Sequence, residues 1–218
     1  MIRAQIASLP EREESLIKTI ESLLLQVKFI QVALNGYKEL PKFSHRRVKY
    51  VHLDNSLGDA AKFYDVDDFE GYLLSCDDDL VYPPGYVSNM INAIDTFHCI
   101  VTMHGKKFDN RPIKSYHHGA TSTFRCLGQV EKDTYVDVCG SGVSAFHTKD
   151  FKLKLSDFQK PNMADIWLSK KATMQGVKML CLAHPVGYFG YNHHEGNIYD
   201  MNHRNETFQT ELVNTFLQ

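Results

Sequence analysis

Cysteine is scarce in this chain of 218 residues, and what there is forms no pattern. The five cysteines, Cys76, Cys99, Cys126, Cys139 and Cys181, are odd in number and contain no CxxC pair. That spacing excludes a dense disulfide frame and a zinc knuckle, and it leaves reduced core thiols of the kind expected in the cytoplasm. Long apolar runs are missing as well. The longest leucine run, Leu23-Leu24-Leu25, stops at Gln26, far short of the ~20 residues of a membrane span. The charged stretch Pro10-Glu11-Arg12-Glu13-Glu14 arrives too early for a signal-peptide core, so any work at a membrane is expected to be peripheral. An excess of basic charge is also absent. The net charge is -2 and the 24 Lys and Arg are scattered, which argues against a dedicated nucleic-acid binder. No repeat or low-complexity linker interrupts the sequence, so a single domain over 1–218 is expected.

What the chain does contain is an alternation of short apolar runs and helical periodicities. Strands are predicted over 2–8, 29–34, 48–53 and 71–76, with polar or small residues at nearly every exit. Pro10 and the acidic residues after it open a helix that carries Leu16, Ile20, Leu23 and Leu24 at helical spacing. Further helical stretches are predicted over 57–63 and 84–97. Parallel sheets of this type place ligands beyond the carboxyl ends of their strands. The second half reads as a strand over 98–103, a long polar loop over 104–121, strands over 122–127 and 135–138, and a glycine turn, Cys139-Gly140-Ser141-Gly142. A helix over 162–175, a strand over 177–182, a loop over 184–200 and a last amphipathic helix over 206–217 complete it.

The densest chemistry is Asp77-Asp78-Asp79, at the end of the run Gly71-Tyr72-Leu73-Leu74-Ser75-Cys76. Adjacent carboxylates leaving a buried strand repel one another and need a cation or ligand to compensate them. In extended chain Asp77 and Asp79 share a face and converge on one divalent ion, for which hard oxygen ligands favour magnesium or manganese. A solvated acidic turn before Pro83-Pro84-Gly85 is the bland alternative.

Five blocks carry a resemblance. They are Ala7-Ser8-Leu9-Pro10-Glu11-Arg12 followed by Ser22-Leu23-Leu24 and Gln26; Leu57-Gly58-Asp59-Ala60-Ala61-Lys62; the three aspartates with Pro83-Pro84-Gly85-Tyr86; the glycine turn at 139–142; and Asp165 within Met163-Ala164-Asp165-Ile166-Trp167-Leu168. In this order, over roughly residues 1–190, the chain resembles family-2-type glycosyltransferases of the GT-A fold. A narrower likeness is to the N-terminal glycosyltransferase domain of a large-DNA-virus protein that glycosylates capsid. The resemblance implies an α/β fold with a mostly parallel central sheet flanked by helices and a smaller antiparallel part. It implies a nucleotide-sugar-binding half over 1–97 and an acceptor-binding half over 98–218.

It further implies an enzyme that uses manganese or magnesium and a nucleoside-diphosphate sugar, with UDP the expected nucleotide. The hexose or deoxyhexose is passed to a glycan, lipid-linked or protein-linked acceptor. By the same resemblance Asp77 and Asp79 hold the metal, with His184 as third ligand and His193 and His194 in reserve. Asp77 and Asp78 also face the nucleotide. Ser8, Leu9, Pro10 and Asn35 line the base pocket, Arg12 and Lys62 stand at its base or diphosphate edge, and Asp165 is the general base of an inverting displacement. Tyr116, Tyr191 and the Gly140-Ser141-Gly142 turn are expected on the acceptor side, and Trp167 in the core. Two positions depart from the family pattern: Asn35 stands where an aspartate reads uracil, and Ala164 stands before Asp165 where a glutamate is usual. Two other readings remain. A non-catalytic docking domain of a longer protein is one; a sugar-nucleotide pyrophosphorylase is disfavoured, because Leu9-Pro10-Glu11-Arg12 is not a glycine- and arginine-rich phosphate loop.

Overall fold

The computed structural model describes residues 1–192 and 206–217. Strands β1 (Ile2–Ser8), β2 (Phe29–Asn35), β3 (Val48–Leu53) and β4 (Tyr72–Cys76) are followed by the short β5 (Leu80–Val81). Next come β6 (Ile100–Thr102), β7 (Gly105–Lys107), β8 (Ser122–Phe124), β9 (Thr134–Tyr135) and β10 (Val138–Cys139). The last are β11 (Val143–His147), β12 (Met179–Cys181) and β13 (Gly190–Tyr191). Eight of them make one sheet in the order β3-β2-β1-β4-β11-β6-β12-β9. The block β3-β2-β1-β4 is parallel throughout. β2 is buried at every position but its first, as a parallel strand covered on both faces should be.

The sheet separates two apolar clusters. Alternate residues of β1, β4 and β11, including Ala4, Ile6, Leu74 and Ala145, face helices α1 (Glu13–Leu24) and α2 (Tyr86–Phe97). Leu16, Ile20 and Leu23 of α1 are fully buried there, each worth ~1.5–3 kcal/mol of transfer free energy. The other face carries Leu73, Ile100 and Phe146 against α3 (Ala164–Met174) and α4 (Glu206–Asn214). Trp167 lies in that second cluster, 4% exposed, with its indole N–H donating to Lys160 O at 3.1 Å, as its helical spacing predicts.

One inversion of direction decides where the site forms. β11 runs antiparallel to both β4 and β6, with Val143 opposite Cys76. The residues entering β11 therefore lie beside the residues leaving β4. The glycine turn and the aspartates, 65 positions apart in Gly142 and Asp77, are brought into direct contact: the Asp77 N–H donates to Gly142 O at 2.9 Å.

The structure differs from the sequence expectation in four places. The 57–63 stretch is a 3-10 helix, Gly58–Phe63, entered through Gly58 at φ +53° and left at Asp65 with φ +63°, so it closes before an α-helix can propagate. The 135–138 run breaks in two, β9 joining the edge of the large sheet and β10 a separate antiparallel sheet in the order β10-β7-β8. The polar loop at 104–121 contains β7 of that small sheet, and the 122–127 segment is strand only over Ser122–Phe124. β5 and β13 pair as a two-stranded ribbon. His193 and His194 lie outside the described residues. Among the described residues no helix is long and apolar enough to cross a membrane.

Candidate active site

A cavity of about 740 Å³ opens at the carboxyl ends of β1, β2 and β4. Its near wall holds the exits of those strands and the 3-10 helix. Asp78 is 3% exposed; its Oδ1 accepts from the Arg12 guanidinium at 3.0 Å, and its Oδ2 is buried without a hydrogen-bond partner. Burial outweighs Arg12 and raises the Asp78 carboxyl above its ordinary range. Arg12 also reaches Asp79 at 3.7 Å. Burial, with Asp77 and Asp78 alongside, pushes the Asp79 carboxyl up to about 7. Asp77 Oδ1 is paired with the buried Lys62 ammonium at 2.5 Å. Burial alone would lower the Lys62 pKa, but Asp77, Asp59 and Asp165 outweigh it and hold the lysine charged.

The aspartate turn is fixed from below. The Tyr82 hydroxyl donates to Gly142 O at 2.7 Å and accepts from the Asp77 N–H at 2.8 Å, so one buried phenol clamps both strands. A Cβ on Gly142 would fall 1.7 Å from Asp77 Oδ2; only glycine leaves the carboxylate its place.

Asp165 stands across the cavity in the first turn of α3, with Oδ1 accepting from the Ser141 N–H at 2.7 Å. The start of that helix is tied to the near wall. Asp59 Oδ2 accepts from the Ala164 N–H at 3.0 Å, and a Cβ on Gly58 would meet Asn162 Oδ1 at 2.3 Å. Asp59 Oδ1 is buried and unpartnered, and burial pushes that carboxyl up to about 6. Asn35, 3% exposed, donates from Nδ2 to Gly58 O at 2.9 Å. This fixes the amide so that Oδ1 is the free acceptor, buried without a partner.

The far wall comes from β7, β8 and β10 with the loops around them. Lys106, Arg125, Thr123 and His117 line it, with Tyr116 beneath and His104 against Gly140. Burial lowers the pKa of both His104 and Lys106.

The structure thus brings Ser8, Leu9, Arg12, Asn35, Lys62, Asp77, Asp78 and Asp165 to one cavity, with Tyr116, Gly140 and Ser141. Asp79 stands behind Arg12, outside the lining. Pro10 is exposed and starts a 3-10 turn before α1. His184 is not brought to the aspartates: it is 5% exposed, with Nδ1 2.9 Å from Leu182 O and Nε2 3.2 Å from Arg125 O. Each ring nitrogen faces a backbone carbonyl and neither faces an aspartate, so the structure does not place His184 beside Asp77 and Asp79 as the expected third metal ligand. Among the described residues no three His, Cys, Asp or Glu side chains gather as a metal cage. Tyr191 lies in β13, pairing with Leu80 rather than lining the cavity. Sequence reasoning did not assign Asp59, Lys106 or Arg125; Asp59 stood within a quoted block, but nothing in the pattern marked the other two.

No protein-family model matches this chain, and no curated protein matches it. Among solved structures it is similar to 4-diphosphocytidyl-2C-methyl-D-erythritol synthase from Anaerococcus prevotii, at 17% identity over 68% of this chain and 70% of that one, with a TM-score of 0.42. A likeness of that degree carries no argument about chemistry, and the site's own geometry has to supply it.

Proposed function

We propose that this protein is an inverting, metal-dependent glycosyltransferase of the GT-A fold. It moves a hexose or deoxyhexose from a nucleoside-diphosphate sugar, UDP-linked, to a hydroxyl of a glycan, lipid-linked or protein-linked acceptor, in the cytoplasm. One observation carries the reading: a single cavity at the strand exits holds the aspartate turn with its two cations and, across from it, a separate carboxylate oriented by a backbone N–H. The parallel block β3-β2-β1-β4 beside a small antiparallel sheet and the five sequence blocks support it.

Asn35 Oδ1 is an acceptor fixed in place for a base N–H, and Ser8 and Leu9 line the same end. Asp77 lines the cavity, and Asp77 and Asp79 would hold a magnesium or manganese ion once the Asp79 carboxylate turns from Arg12 to the metal. They are hard ligands, the Asp77 side chain is half-exposed, and crowding among the three carboxylates is relieved by a cation. Such an ion takes one or two carboxylates and fills its shell from donor phosphates and water; when bound it supplies charge stabilisation for the departing diphosphate. Asp165 takes the proton of the acceptor hydroxyl as that oxygen bonds to the anomeric carbon. The bond from that carbon to the diphosphate oxygen breaks on the opposite side, and the electron pair leaves with the diphosphate. The Ser141 N–H holds Asp165 Oδ1.

The test is hydrolysis and transfer across a panel of nucleotide sugars with manganese, magnesium or EDTA. One donor should turn over only with metal, and Asp79→Ala should abolish it. Asp165→Asn should keep donor binding and lose about 10²–10⁴ in turnover. If no donor binds under any metal, the transferase reading is wrong; nucleotide binding with no turnover of any donor points instead to a non-catalytic docking domain.

A further inference from the structure

The cations of the cavity fall into two kinds. Arg12 is held by Asp78 and Asp79, and Lys62 by Asp77. Lys106 and Arg125 line the same space, and among the described residues neither forms an ion pair with a carboxylate. The Lys106 ammonium donates to Tyr116 O at 3.0 Å and sits 4.1 Å from the centre of the Tyr116 ring, which fixes its stem and leaves hydrogens to give. Arg125 follows β8 and is exposed, but its backbone is built in. Its carbonyl accepts from the Gly128 N–H at 2.8 Å and lies 3.2 Å from Nε2 of the buried His184. Burial lowers the Lys106 pKa, with Asp165 acting against it and Arg125 adding to it. Two like charges lining one wall, with no direct ion pair to either among the described residues, favour an anion between them.

We infer that Lys106 and Arg125 form an anion subsite for the acceptor, which is therefore a sugar carrying an oxyanion group, a phosphate monoester or a carboxylate. The inference rests on the transferase reading for the identity of the other substrate. The near-wall cations are already engaged by carboxylates, so the far pair is what a second, negatively charged substrate meets. Asp165 lines the same cavity as Lys106 and Arg125, so an anion held by the pair brings its sugar into the space where Asp165 deprotonates the acceptor hydroxyl. Arg125 offers a planar fork for a phosphate or carboxylate, and Lys106 a point charge.

The experiment is calorimetric titration of the full chain, first with UDP and then, on the UDP-saturated protein, with glucose 1-phosphate, glucuronate and methyl glucoside. One anionic sugar should bind about tenfold or more tighter than methyl glucoside, and its identity separates phosphate from carboxylate. Arg125→Gln, at an exposed position that does not threaten the fold, should erase about tenfold of that preference and leave UDP affinity within about twofold; Lys106→Gln should act in the same direction. Anionic sugars binding no better than methyl glucoside would overturn the inference. So would an Arg125→Gln protein that weakens UDP instead, since the pair would then serve the donor diphosphate. Loss of UDP binding in the parent with the anionic preference intact would sink the transferase reading and leave the subsite standing.

Discussion

On the wall built from the exits of β1, β2 and β4, every cation that lines the cavity has a carboxylate partner; on the wall built from β7 and β8, neither Lys106 nor Arg125 has one among the described residues. The first wall fixes its cations through contacts within the wall, while Asn35 Oδ1, Asp59 Oδ1 and Asp78 Oδ2 are buried on it without a hydrogen-bond partner. Arg12 and Lys62 offset part of its carboxylate charge, its backbone is clamped by Tyr82, and the Asn35 amide is fixed by the Gly58 carbonyl. On the second wall Lys106 meets only a carbonyl and a ring, and Arg125 faces solvent. A preorganised wall suits a donor that must be held in one geometry, and an uncompensated wall suits a substrate that brings its own charge.

Breaking the near wall should cost the most. Lys62→Met leaves Asp77 and Asp59 without their cation. Asp77 is half-exposed and partly solvated, so a loss of about 2–4 kcal/mol in urea unfolding is expected, below that for a fully buried pair. Arg125→Gln should stay within about 0.5 kcal/mol of the parent. Equal losses in the two variants would erase the contrast between the walls. Gly142→Ala drives a methyl into Asp77 Oδ2. It should cost about 1–3 kcal/mol by overpacking and reduce donor hydrolysis; unchanged hydrolysis would remove Asp77 from the donor site.

The Asp59 carboxyl offers a pH test of the join between walls. Its folded pKa, about 6, is above the unfolded value of ~3.9, so the native state holds the proton more tightly. The resulting stabilisation is full below about pH 4 and is lost as pH rises through 6. Asp59→Asn should therefore gain stability relative to the parent across that window; parallel denaturation curves would show that Asp59 is not strained. The smallest effect is expected for Asn35→Ala, about two- to tenfold in UDP affinity from one neutral hydrogen bond.

Much of the near wall was legible because its signals are local. β1 and β3 fall where alternation and turn residues put them, and the aspartates follow an apolar run that needs no partner to be recognised. Asp165 was legible only through its likeness to a family block, and it does meet the same cavity. Of the far wall only Tyr116 and the glycine turn were legible, and Lys106 and Arg125 were not. β7, β8 and β10 are strands of two or three residues whose pairing joins positions 105, 124 and 139, and such short segments carry no periodicity. His184 misled for a related reason: a histidine after a strand looks the same in sequence whether its ring meets a metal or two carbonyls. The 3-10 helix at Gly58–Phe63 misled because apolar spacing over six residues does not distinguish 3.0 from 3.6 residues per turn.

The ribbon of β5 and β13 has a kinetic consequence. Tyr191 pairs with Leu80, and the Asn192 N–H donates to Asp79 O at 2.9 Å, so the turn that carries the aspartates is held by chain more than a hundred residues downstream. During synthesis the parallel block can assemble early, but the aspartate turn waits for this late strand, as do the contacts of Gln209 with the far wall. Contacts of such long separation form slowly. The aspartate turn and both apolar clusters, which include Phe189 and Leu212, are thus completed only by the last part of the chain.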